Sequence, residues 1–106
     1  MTNTIYRQGD VLLIQVDEAP EGQRVKARGG RLILAEGEVT GHHHSVAVED
    51  AELIEVAGVP EVFLRIFTAT TLDHQEHASV TLPPGDYRVR RQREYVPQEL
   101  PRQVAD

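Results

Sequence analysis

The chain has 106 residues, 40% hydrophobic and 26% charged, with a net charge of −6 and neither cysteine nor tryptophan. Such a length holds one domain with a real core. The absence of cysteine removes disulfides, thiolate nucleophiles and Cys-based zinc sites, the acidic balance opposes broad capture of nucleic acid, and no segment has the apolar length to span a bilayer.

Taken in chain order, Met1-Thr2-Asn3-Thr4-Ile5-Tyr6-Arg7 shows no basic start followed by an apolar run, so no secretory signal is expected and the cytoplasm is the expected compartment. The apolar residues then fall in short runs separated by glycine or proline, without a sustained helical period. They predict an all-β fold, a single small β-barrel or sandwich, with strands at Ile5 to Val16, Arg24 to Ala27, Arg31 to Ala35, His43 to Val48, Glu52 to Val56, Val62 to Thr68, Ala78 to Leu82 and Tyr87 to Tyr95. Within the first of these, Tyr6-Arg7-Gln8-Gly9-Asp10 suggests no catalytic motif, and Gly9 sets a bulge or turn. Turns are expected at Ala19-Pro20-Glu21-Gly22, Gly29-Gly30, Gly58-Val59-Pro60 and Pro83-Pro84-Gly85-Asp86. Residues 1–96 form one β domain in this reading, and the polar, proline-interrupted 97–106 is a surface arm or terminal turn. So small a sheet protein must protect its edges, and a homodimer is favoured over a monomer.

All five histidines lie in two short clusters, Gly41-His42-His43-His44-Ser45 and Asp73-His74-Gln75-Glu76-His77. Neutral imidazole is the commonest transition-metal ligand, so the clustering points to a metal site, against the alternative of solvated His-rich loops. If 41–48 is extended, side-chain alternation puts His42 and His44 on one face with Val46 and Val48, and leaves His43 outward and exposed. The second cluster is too polar for a core strand and reads as a loop or single helical turn. A helical turn would bring His74 and His77 to one side, whereas an extended chain would oppose them. The expected site is therefore a divalent transition metal (Zn, Fe, Mn, Ni or Cu) held by His42, His44 and His77 with His74 as a fourth ligand. Glu76 or Asp73 would stand behind the rings or supply oxygen.

Gly37-Glu38-Val39-Thr40-Gly41-His42-His43-His44-Ser45-Val46-Ala47-Val48-Glu49 resembles the first motif of the cupins, and Leu82-Pro83-Pro84-Gly85-Asp86-Tyr87 resembles the Pro-x-Gly turn of their second. The resemblance covers the middle half of the chain and implies a cupin-like β-barrel with His42, His44 and Glu49 as ligands. The sequence departs from the pattern in its glycine spacing and in carrying Arg88 where the second motif has a ligand histidine. Glu49 also shares the strand parity of His43 rather than of His42 and His44.

Three functional expectations follow. An enzyme would use the ion to activate water or dioxygen or to polarise a small anionic substrate, with Glu76 moving a proton and Arg88 or Arg90 orienting the anion. His43-His44-Ser45-Val46 and His77-Ala78-Ser79-Val80 are also similar to the paired His-x-Ser/Thr motifs of two-histidine phosphoesterases, which imply metal-free acid and base catalysis at His43 and His77, with the Arg88 to Arg93 segment holding phosphate. The third expectation is a non-enzymatic ligand- or protein-binding module. Against a role for the arginines, alternation places Arg88 and Arg90 opposite Tyr87, Val89 and Arg91, where a solvated face with cross-strand ion pairs is the ordinary outcome.

Overall fold

The computed structural model describes residues 4–36 and 41–91. The described residues are all-β apart from one short helical turn: β1 (Ile5–Gln8), β2 (Val11–Val16), β3 (Gln23–Arg24), β4 (Arg31–Glu36), β5 (His43–Ala47), a 3-10 turn (Val48–Asp50), β6 (Ala51–Glu55), β7 (Val62–Ile66), β8 (Thr70–Leu72), β9 (Val80–Leu82) and β10 (Gly85–Arg91). Segment 37–40 and residues 92–106, including the expected C-terminal arm and the end of the arginine-rich strand, lie outside the described residues.

A six-stranded antiparallel sheet runs β1-β2-β10-β7-β6-β3. The β4–β5 and β8–β9 ribbons make a second layer, joined where the Ser45 and Asp73 backbones exchange hydrogen bonds of 3.0 and 2.9 Å. Leu32, Val46 and Leu72 from these ribbons bury their side chains in one core with Leu13, Leu64 and Tyr87 from the large sheet. This is a sandwich; among the described residues the strand order does not close into a barrel.

Alternation explains the faces. On β10, Tyr87 and Val89 are buried, while Arg88 and Arg90 point away and approach Glu61, with Arg90 Nε 2.8 Å and Arg88 Nε 3.7 Å from its carboxylate. On the same outer face Arg65 stands opposite both Glu52 and Asp86 and pairs with each. Cross-strand pairs of this kind contribute tenths of a kcal/mol, up to about 1, and fix register more than they stabilise.

Three boundaries differ from the sequence expectation for identifiable reasons. The strand foreseen over Ile5 to Val16 breaks into a hairpin, because Gly9 takes φ +59° and Gln8 pairs directly with Val11. No non-glycine residue among the described residues has positive φ, so the turn needs glycine at its first central position only, as a II′ hairpin does. β8 is a strand the hydrophobic pattern missed, since Thr70-Thr71-Leu72 holds a single strongly apolar side chain. The strand expected from Ala78 begins at Val80.

Candidate functional site

The site lies where three segments far apart in sequence meet: the β1–β2 hairpin tip, the start of β5, and the 73–77 loop between β8 and β9. His44 is central, 1% exposed. The strand period puts its side chain inward with that of Val46, as expected. Its ring centroid is 4.3 Å from that of His74 and 6.0 Å from that of His77, and His74 lies 4.6 Å from His77 and 5.9 Å from His42. Four imidazoles therefore converge, and His43 takes no part in these ring contacts. It is half-buried rather than exposed, because Gln75 accepts its backbone N–H at 2.9 Å and the 73–77 loop folds over it.

The 73–77 segment is neither helical nor a strand, yet its bends bring His74 and His77 together. Asp73 is committed elsewhere: one carboxylate oxygen takes the Ser79 hydroxyl at 2.8 Å and the other meets Arg31 at 2.9 Å. Glu76 is close, with Oε2 3.2 Å from His42 Nδ1 and its own backbone N–H donating to His74 Nδ1 at 3.0 Å. Glu49 is exposed on the 3-10 turn that follows β5, so the strand alternation that places His44 does not extend to it. Arg88 and Arg90 are turned toward Glu61 on the outer face, and the structure does not bring them to the imidazoles. The arginine whose charge reaches His44 is Arg91, 3.5 Å from Asp10.

Two residues that the sequence reading passed over complete the arrangement. Gln8 is 2% exposed, and its amide nitrogen donates to the carbonyls of Leu72 and Ala78, each at 2.9 Å. Those carbonyls flank the 73–77 loop, so one side chain clamps both of its ends. With both amide hydrogens spent, Gln8 Oε1 faces His44 Nδ1 at 2.8 Å as an acceptor, which assigns the imidazole proton to Nδ1 and leaves the lone pair on Nε2. Nε2 looks toward Asp10 Oδ1 at 3.6 Å. Between them, Gly9 leaves room for an imidazole: a β-carbon there would stand 2.6 Å from His77 Nε2. Nothing in the local sequence marks Gln8 or Asp10, because their role depends on what the hairpin tip meets.

Burial pushes His44 down to about 4, with His74 and His77 adding to the effect and Asp10 opposing it. His74 is lowered as well, mainly by desolvation and then by His77 and His42, against Glu76. Burial thus favours the neutral form of His44, the form in which imidazole donates to a metal. As they stand, no group of three or more His, Asp or Glu side chains among the described residues is disposed to hold an ion. The Nδ1 atoms of His44 and His74 are already hydrogen-bonded, and His42 Nδ1 is buried without a hydrogen-bond partner despite lying near Glu76.

Fold and site together define a small all-β sandwich with an imidazole-rich pole. A family profile described as a domain of unknown function, DUF8820, matches residues 7–92, and the chain belongs to that family. No curated protein and no solved structure matches it. No helix among the described residues is long and apolar enough to cross a membrane.

Proposed function

We propose that the chain binds a divalent transition metal at this pole. The observation that carries the reading is the meeting of His42, His44, His74 and His77 from two distant segments, with the buried His44 locked by Gln8 into the tautomer that offers Nε2. Hydrogen-bonding a ligand histidine through its other nitrogen is the usual way proteins orient such a ring. His44 and His77 are the inner ligands. His42 joins by turning from Glu76, and His74 joins on releasing the exposed Glu76 N–H.

The side toward His42 and Glu76 faces solvent and receives water or a small anionic ligand, for which the ion supplies Lewis acidity. Glu76 is the group placed to exchange a proton there. Arg91, paired with Asp10 at 3.5 Å, is the arginine whose charge reaches the buried His44.

The test is elemental analysis of untagged protein purified without chelator, beside His44→Ala and His77→Ala variants. Stoichiometric Zn, Fe, Mn, Ni or Cu in the parent and its loss in both variants support the reading. Substoichiometric metal in the parent, or unchanged metal in the variants, overturns it.

A further inference from the structure

We propose that Asp10 is the oxygen ligand of this site, so that the ion sits between Asp10 Oδ1 and His44 Nε2; the inference rests on the metal-binding reading and deepens it. The hydrogen-bond logic fixes it from both sides. Gln8 has no amide hydrogen left for His44, so His44 Nδ1 is the donor and Nε2 presents a lone pair. Facing that lone pair at 3.6 Å is a carboxylate oxygen, which has only lone pairs to offer. Two acceptors turned toward one another make a seat for a cation. Around a tetrahedral ion with bonds of about 2.0–2.2 Å, neighbouring donor atoms stand roughly 3.4 Å apart, close to the spacing found here.

The carboxylate is already oriented for this role. Its other oxygen, Oδ2, lies 3.5 Å from Arg91, which turns Oδ1 toward the imidazoles, and the preceding Gly9 leaves room for the His77 ring, whose Nε2 a β-carbon there would meet at 2.6 Å. The hairpin tip Gln8-Gly9-Asp10 is then a third limb of the site: Gln8 positions His44, Gly9 makes room for His77, and Asp10 coordinates. A mixed imidazole and carboxylate set with one negative charge suits a borderline divalent ion such as Zn(II) or Co(II).

The experiment titrates untagged, chelator-stripped protein with Co(II), read by its visible d–d absorption, and with Zn(II), read by competition against a chromophoric chelator. It compares the parent with Asp10→Asn and with Glu61→Gln, which removes the same charge from the outer face of the large sheet, where Glu61 pairs with Arg90. Asn suits a hairpin turn, and circular dichroism checks that each variant is folded. Asp10→Asn is expected to weaken Zn(II) by about tenfold or more and to shift the Co(II) bands, while Glu61→Gln changes affinity by less than about threefold and leaves the bands in place. Parent-like affinity and spectrum in Asp10→Asn, or equal losses in the two variants with unshifted bands, overturn the Asp10 assignment and leave the histidine site standing. A parent that binds neither ion overturns both.

Discussion

Gln8 Oε1 lies 2.8 Å from His44 Nδ1, and the same amide reaches the carbonyls on either side of the loop that carries His74 and His77. Replacing Gln8 with methionine keeps the volume and leaves one buried donor and two carbonyls without this partner. A loss of about 2–4 kcal/mol in urea unfolding is expected, since unsatisfied buried groups cost more than the net worth of the bonds they lose. Gln8→Glu keeps the acceptor for His44 but sets a carboxylate against two carbonyls, so it is expected to destabilise too. Parent-like unfolding midpoints for both variants would show that the clamp contributes nothing.

The acid response of the metal-free protein has a definite sign. Above pH 6.5 His44 is neutral in both the folded and the unfolded chain; below it, the unfolded chain takes a proton that the buried ring refuses until about 4. Stability is therefore full above the ordinary histidine value and falls as pH drops through this window, by about 3 kcal/mol from His44. His74, lowered for similar reasons, acts in the same direction. Urea midpoints of chelator-treated protein at neutral pH and near the bottom of the window measure this fall, and equal midpoints would refute it.

Gly9→Ala meets two obstacles. An alanine at φ +59° costs about 1 kcal/mol of backbone strain, and its β-carbon would lie 2.6 Å from His77 Nε2. The variant is expected to lose about 1–2 kcal/mol of stability and, once folded, to bind metal more weakly because His77 is displaced. Thermal unfolding and a Zn(II) competition titration report the two effects separately.

The histidines should not be equivalent. His77→Ala is expected to weaken metal binding by about tenfold or more, and His74→Ala by less, since His74 must give up its Glu76 hydrogen bond to serve. His43→Ala is expected to leave binding unchanged. Matched Zn(II) titrations give the order, and a large loss in His43→Ala would contradict the placement of its ring.

Arg90→Gln removes a half-exposed pair with Glu61 on the opposite face of β10 from the buried Tyr87 and Val89. Its expected effect is less than about 1 kcal/mol on stability, with no change in metal affinity. Paired unfolding and titration curves check both statements.

Much of this was legible in the residues themselves. Alternation along 42–46 separates His44 from His43, and alternation along 86–91 groups Arg91 with Tyr87 and Val89. The same alternation puts Arg88 and Arg90 on the outer face, where they approach Glu61 as the ion-paired reading of that face expects. The sequence leaves 73–77 open between helical and extended, and the chain takes neither: Gln8 ties the two ends of the loop from the hairpin, and the Ser79–Asp73 and Glu76–His74 hydrogen bonds hold it locally. Gln8 and Asp10 could not be found from sequence: a glutamine and an aspartate around a hairpin glycine look like ordinary turn residues until the partner segments, separated by 36 to 70 positions in the hydrogen bonds of Gln8, are in place.

β10 has a further consequence for how the chain comes into being. It pairs on one side with β2 and on the other with β7, so that Arg91 stands opposite Val11. During synthesis the large sheet remains split until residues 85–91 have left the ribosome, and the facing edges of β2 and β7 wait unpaired until then. The nascent protein is most exposed to wrong pairing in that interval, and a chaperone that covers strand edges would act there.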